Sequence, residues 1–166
     1  MKRKLTLTIA LFSFIFLINE CYSSQQKLEI TSLANNKLNI TDYKSSNIYI
    51  FNISINGYEV NCSGEKMVLW GYPVKFVDGS PADNEYVIFD LKTKKTIATN
   101  LVSHGIFGAI FLSDNVNAFL DTGGGYIVNT QTGEAKDIDK KMLGKLDSIS
   151  EKCQKPKRWS YNKFPQ

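Results

Sequence analysis

Histidine is almost missing from this sequence, and its scarcity limits the chemistry that the chain can perform. His104 is the only histidine in 166 residues, and no second histidine or cysteine lies near it at the spacing of zinc ligands. The sequence also lacks a Gly-x-Ser-x-Gly nucleophile elbow and a glycine-rich loop followed by a phosphate-binding lysine. We therefore predict no catalytic residue, no metal site and no cofactor, and we interpret His104 as a turn residue.

Long apolar runs are also scarce, and the single clear one lies at the N-terminus. Three basic residues precede an uncharged run over residues 5–18, and small residues follow it, which is the pattern of a secretory signal peptide. Cys21 and Ser23 fit the −3 and −1 positions of a cleavage site. We predict a signal peptide over residues 1–23 and a periplasmic or secreted protein with no membrane span after cleavage. Lipoprotein processing at Cys21 and an uncleaved anchor are the alternatives.

Few cysteines are present, and removal of the leader leaves Cys62 and Cys153. An even pair in an oxidising compartment indicates a disulfide, although two buried free thiols remain the alternative. The bridge would close a loop of about 91 residues, which on the chain-entropy model stabilises the fold by roughly 4 to 5 kcal/mol. We predict one domain over residues 24–154, followed by a C-terminal tail over residues 155–166.

Strand signals dominate the mature sequence, so we predict a mainly β fold. Residues 48–55 alternate in polarity and precede Asn56-Gly57, which predicts a hairpin with residues 58–62. This hairpin would place Cys62 on the apolar face. Residues 139–152 predict one helix, with Asp139 as N-cap and Cys153 at the end of its apolar stripe. Further strands are predicted at residues 67–70, 74–77, 86–91, 96–99, 106–112, 116–120 and 126–129.

No crossover helix fits between these strands, so the sheet should be an antiparallel meander, either a sandwich or a propeller-like curved sheet. Segments that begin at Phe51, Phe89 and Val128 resemble one another at spacings of 38 and 39 residues. They resemble the outer hairpin of a propeller blade, in which Asp or Asn ends one strand before a turn. We favour an ordinary meander that reuses the same turn, and the propeller blade is the alternative.

One short motif resembles a catalytic one. An apolar strand ends in Asp121-Thr122-Gly123, as in the retropepsin-like aspartic proteases. In that family two such triplets bring their carboxylates together to share a proton and activate water. The resemblance implies a homodimer that uses Asp121, because the chain holds one triplet. The family's second apolar-apolar-Gly element is not matched, since residues 142–144 come too early and fall in the predicted helix.

Acidic residues are absent from the last fifteen positions, which carry five basic residues, whereas residues 24–151 carry 12 basic and 15 acidic ones. No basic stripe interleaved with aromatic residues runs through the body, so we predict no nucleic-acid partner. The tail holds Arg158, Trp159, Tyr161 and Phe164, which are residue types that anchor protein interfaces. We predict that they bind a protein partner; the alternative is a terminus docked on its own sheet.

These observations favour an exported, non-enzymatic binding protein. Within that class we favour a bacterial periplasmic immunity or inhibitor protein that binds and blocks a toxin or a hydrolase. The alternatives are the homodimeric aspartic protease that uses Asp121 and a structural module of the envelope. The sequence leaves the identity of the partner and the oligomeric state open.

Overall fold

The computed structural model describes residues 28–75 and 83–164. The predicted signal peptide and the end of the predicted strand at 74–77 lie outside the described residues. Within the described part, every helix is too short or too polar to cross a membrane. The described chain is mainly β, and its strands form three antiparallel sheets. The predicted fold class is therefore confirmed.

Each sheet is a meander in which consecutive strands pair with one another. The first sheet contains β1 (Glu29–Ala34), β2 (Lys37–Thr41) and β3 (Ser46–Ile50). The second contains β4 (Ile53–Val60), β5 (Lys66–Pro73), β6 (Asn84–Asp90) and β7 (Lys95–Val102). The third contains β8 (Gly108–Phe111), β9 (Asn117–Asp121), β10 (Tyr126–Asn129) and β11 (Ala135–Asp137). The last strand, β12 (Ser160–Asn162), returns to pair with β4 at the edge of the second sheet.

The second sheet lies between the other two, and both of its faces are buried. Along β5, Met67 and Leu69 belong to the core shared with the first sheet, whereas Val68 and Trp70 belong to the core shared with the third. A strand buried on both faces is apolar at every position rather than at alternate ones. The strands β4 and β8, which begin successive sheets, lie side by side. The architecture is thus a stack of three antiparallel meanders with a core on each side of the second sheet.

The segments compared in the sequence share their turn chemistry in part. Asp90 ends β6, and its Oδ1 accepts hydrogen bonds from the backbone N–H groups two and three residues further on. Asn129 ends β10 and caps its turn in the same way. These residues occupy equivalent positions in the second and third sheets. The segment at Phe51 does not match them; in the first sheet the equivalent turn residue is Asp42.

The predicted Asn56-Gly57 hairpin is wrong. Strand β4 runs straight through both residues, and its pairing with β5 only shifts register between Ile55 and Gly57. A Cβ at position 57 would lie 2.2 Å from the Trp70 ring, so glycine is needed for close packing rather than for a turn. The chain reverses further on, where Asn61 Oδ1 accepts the N–H groups of Glu65 and Lys66. Packing against the neighbouring strand therefore overrides the local turn preference.

The single helix predicted over residues 139–152 is also wrong in extent. Two one-turn helices stand there, α1 (Lys140–Leu143) and α2 (Leu146–Ile149). Asp139 is the N-cap of α1 as predicted, since its side chain accepts the Met142 N–H at 2.7 Å. Gly144 ends the first turn, and neither helix contains a buried residue. The apolar stripe therefore does not carry Cys153 into the core.

Candidate partner-binding surface

Residues 149–163, which we call the closing segment, run along the edges of the second and third sheets. At its start, the Ser113 N–H donates to the Ile149 carbonyl at 2.7 Å. The Glu151 N–H donates to the Phe111 carbonyl at 2.9 Å. At its end, β12 pairs with β4, and the Lys163 N–H donates to the Asn56 carbonyl at 2.7 Å. Residues 155–164 of the predicted C-terminal tail are thus part of the folded body.

The predicted disulfide fixes the middle of the closing segment. The Cys62 and Cys153 sulfurs are bonded, and their Cα atoms lie 6.0 Å apart. The prediction of this bridge is confirmed, although the argument that both cysteines face the core is wrong. Cys62 is half-buried at the end of β4, and Cys153 is exposed. The bridge therefore clamps one edge of the fold rather than its interior.

A cluster of charges lies beside the disulfide. Glu151 Oε2 accepts the Cys62 N–H at 2.8 Å, which joins the closing segment to the end of β4. Lys155 forms ion pairs with Glu59 and with Glu151. These side chains keep between 5% and 19% of their surface exposed, so their charges are only weakly screened by solvent. The cluster holds the segment in one position.

Trp159 fills the core instead of the surface. The ring is 2% exposed and belongs to the core between the first and second sheets. Its Nε1 donates to the Leu28 carbonyl at 2.9 Å. A Cβ at Gly64 would lie 2.8 Å from the ring, which shows how closely the β4–β5 turn covers it. For Trp159 the alternative interpretation of the sequence holds, because this part of the terminus docks on its own sheet.

Three aromatic side chains around β12 remain exposed. Tyr161 and Phe164, both predicted, are 41% and 56% exposed, and Phe107 is 46% exposed. Phe107 belongs to the same region because Asn162 Nδ2 donates to its carbonyl at 2.7 Å. The sequence analysis missed Phe107, which lies in a short loop before β8 and is separated from Asn162 by 55 residues. No local pattern in the sequence signals that proximity.

Two exposed cations lie in the same stretch of chain as Tyr161 and Phe164. Arg158 is exposed and forms an ion pair with Glu29 at 2.8 Å, and Lys163 Nζ lies 5.6 Å from the Phe164 ring centre. The Arg158 carbonyl accepts a hydrogen bond from the Tyr58 hydroxyl at 3.2 Å. Burial raises the pKa of Tyr58 to about 12, so this hydroxyl stays protonated and keeps donating. We call the exposed side chains of Phe107, Arg158, Tyr161, Lys163 and Phe164 the aromatic surface.

His104 lies in a second place, beside the glycine-rich β9–β10 turn. It shares an open cleft of about 490 Å³ with Tyr126, Asp137 and the glycine turn. Its backbone has a φ of 82°, in the left-handed region, so it is a turn residue as predicted. Within residues 28–75 and 83–164, no group of three or more histidine, cysteine or carboxylate side chains could hold a metal ion.

Asp121 ends β9 as its motif resemblance requires, but its carboxylate serves the local turn. Asp121 Oδ1 accepts the Gly123 N–H at 3.0 Å, and Gly123 takes a φ of 82°. Residues 142–144 lie in α1 and at its C-cap, not in a strand. The aspartic protease therefore remains a hypothesis that rests on the sequence motif.

A second cleft, of about 400 Å³, opens where the turns of the first and second sheets meet. Asp42 and Lys94 form an ion pair across it at 2.7 Å, and this hydrogen bond lowers the pKa of Asp42 to about 2. Lys44 and Lys92 also line the cleft, with the exposed ring of Tyr43. The arrangement joins the two turns and leaves lysines at the rim.

No protein-family model matches the chain, and no curated protein matches it.

Proposed function

We propose that this chain is an exported, non-enzymatic binding protein that recognises a protein partner through the aromatic surface. More specifically, we propose a periplasmic immunity or inhibitor protein whose partner is a toxin or a hydrolase. The single observation that carries the proposal is the exposure of Phe107, Tyr161 and Phe164 around one strand that is itself fixed in place. A disulfide-bonded β fold without a membrane-spanning helix in its described part is compatible with an extracytoplasmic protein.

The composition of the aromatic surface supports this role. Tyrosine, phenylalanine and arginine are enriched at the centres of protein interfaces, where they bury a large area at small conformational cost. Tyr161 and Phe164 keep about half of their side chains exposed, although their neighbour Trp159 is buried. Burying each exposed ring against a partner lowers the free energy of the complex.

The rigidity of the frame also supports binding. The closing segment is held by the disulfide, by the Glu151 and Lys155 cluster and by pairing with β4. Side chains on such a frame lose little backbone entropy when they meet a partner, so more of the contact energy appears as affinity.

The experiment uses the oxidised mature protein, residues 24–166, as bait for the extracytoplasmic fraction of its own cells. Three baits are compared: the natural protein, the double variant Tyr161→Ala/Phe164→Ala, and the control Tyr43→Ala. Tyr43 is 66% exposed between β2 and β3, so the control removes an accessible ring elsewhere. We expect one stoichiometric partner, an affinity at least about 30-fold lower for the double variant, and unchanged binding for the control.

The captured partner then decides the class of function. Inhibition of a partner enzyme or toxin at equimolar ratio supports the proposal. Equal binding by all three baits would place the interface away from the aromatic surface. A cell-wall or envelope polymer as the bound partner would favour the structural module, and proteolysis that Asp121→Asn abolishes would favour the protease.

A further inference from the structure

The second cleft, which we call the turn cleft, is formed by hairpin turns of two sheets. The β2–β3 turn lines it from the first sheet, and the β4–β5 and β6–β7 turns line it from the second. Leu28, Leu91 and Trp159 contribute the apolar part of its lining. Its volume of about 400 Å³ lies within the range of small-ligand sites. Among the described residues, no member of the aromatic surface lines it, so the two sites are distinct.

An ion pair and a backbone hydrogen bond hold the three turns together. Asp42 Oδ1 accepts two N–H groups of its own turn, and Asp42 Oδ2 pairs with Lys94 of the β6–β7 turn at 2.7 Å. The Leu91 N–H donates to the Glu65 carbonyl at 2.8 Å, which joins the β6–β7 turn to the β4–β5 turn. The walls of the turn cleft are therefore in place before a ligand enters, so binding costs little conformational entropy.

Two lysines at the rim of the turn cleft can receive an anionic group. Lys44 is exposed; its Nζ lies 5.0 Å from the centre of the Tyr43 ring and forms no ion pair with a described residue. Lys92 Nζ lies 3.9 Å from Glu65 Oε1, and these side chains are 76% and 55% exposed. Water screens such a long, exposed pair, so Lys92 is available to a ligand as well. A lysine ammonium binds carboxylates and phosphates as a point charge.

We propose that the turn cleft binds an acidic sugar, that is, a pyranose ring that carries a carboxylate group. Lys44 and Lys92 bind the carboxylate, and the ring of Tyr43, which is 66% exposed, packs on the apolar face of the sugar ring. Glu65 decides the class of ligand. Its carboxylate repels an acidic peptide but accepts a hydrogen bond from a sugar hydroxyl. This inference goes beyond the proposed function and does not depend on it.

Isothermal titration calorimetry of the oxidised mature protein with galacturonate and with trigalacturonate tests the proposal. A neutral galactose trimer lacks the carboxylates, and a triglutamate peptide lacks the sugar rings, so these two are the matched control ligands. We expect trigalacturonate to bind with a Kd of roughly 0.1 to 1 mM at low salt, and both controls to bind at least about tenfold more weakly. Tighter binding of the trimer than of the single sugar supports a polysaccharide as the source, and equal binding supports a free acidic sugar.

Substitutions locate the ligand within the turn cleft. The double variant Lys44→Gln/Lys92→Gln removes both rim cations, and Tyr43→Ala removes the exposed ring; each should weaken trigalacturonate binding at least about tenfold. The control Lys140→Gln/Lys141→Gln removes two exposed lysines of α1 and gives the same net charge as the first variant, so its binding should be unchanged. Tyr43→Ala should still bind the protein partner of the aromatic surface, so a failure of either proposal is recognised separately.

Amide chemical shifts, measured by NMR during the same titration, show which turns the ligand contacts. Changes in the β2–β3, β4–β5 and β6–β7 turns, and not around β12, support the proposal. Absence of binding at about 10 mM trigalacturonate would overturn it, as would binding that Lys44→Gln/Lys92→Gln leaves unchanged. Equal binding of the neutral trimer would overturn recognition of the carboxylate. Equal binding of the triglutamate peptide would also overturn the proposal and assign the cleft to acidic protein segments.

Discussion

Replacing Trp159 with alanine tests whether this residue of the C-terminus stabilises the fold or binds a partner. The ring is 2% exposed, packs in the core between two sheets and donates to the Leu28 carbonyl. Truncating a buried tryptophan costs about 3 to 5 kcal/mol. Domains of this size unfold with a net free energy of roughly 5 to 15 kcal/mol, and each kcal/mol shifts Tm by roughly 2 to 4 °C. We therefore expect Trp159→Ala to lower Tm by roughly 6 to 20 °C.

Urea unfolding of the oxidised mature protein measures the loss of unfolding free energy. Far-ultraviolet circular dichroism follows the transition, because its signal does not depend on the tryptophan. The matched control is Phe164→Ala, which removes a ring that is 56% exposed and should change the unfolding free energy by less than about 0.5 kcal/mol. Trp159→Phe keeps an aromatic ring but loses the hydrogen bond to Leu28, so its cost should fall between those of the other two.

A Trp159→Ala protein that unfolds at the same urea concentration as the natural one would refute the buried placement. A more damaging effect of Phe164→Ala than of Trp159→Ala would refute it as well. If Trp159→Ala lowered partner affinity and left stability unchanged, Trp159 would belong to the interface instead of the core.

Three further predictions concern the bridge, a charge and a glycine. Changing Cys62 and Cys153 together to serine should lower the unfolding free energy by about 4 kcal/mol, measured by urea titration; a loss below about 1 kcal/mol would contradict this expectation. Asp42→Asn should cost about 1 kcal/mol at pH 7. Because the folded pKa is depressed from 3.8 to about 2, that difference should vanish as the pH falls from about 4 to about 2; a constant difference would count against it. Gly71→Ala should destabilise by several kcal/mol, since its Cβ would lie 1.9 Å from a backbone oxygen, whereas Gly124→Ala meets no atom within 4 Å and should be neutral in thermal melts.

The sequence predicted the strands well where their residues are apolar at consecutive positions. The cores of β5 and β6 match the predicted strands at 67–70 and 86–91, because residues 67–70 and 86–89 are apolar at every position and buried on both faces of the sheet. The turn predicted at Asn56-Gly57 is wrong because the local sequence does not decide the structure there. The local backbone preference there is outweighed by packing against Trp70, a residue that local pattern does not bring near.

The candidate site was predictable only in part. The composition of the last residues singled out Arg158, Trp159, Tyr161 and Phe164, but periodicity could not tell which of them face the core. Trp159 turns inward because it meets Leu28, 131 positions earlier, and Phe107 joins the surface through a contact over 55 positions. Such contacts depend on how the sheets stack, which the pattern along one strand does not encode.

The position of the closing segment sets the order in which the chain can fold. The core between the first two sheets lacks its tryptophan, and β4 lacks its edge partner, until the C-terminal residues are available. Contacts over such long separations form slowly because the intervening chain must first be brought together. A chain that is still being synthesised therefore lacks a complete core and stays open. If the chain is exported as an extended polypeptide, as its leader predicts, late completion of the core would favour translocation before folding, and Cys62 and Cys153 would join on the far side.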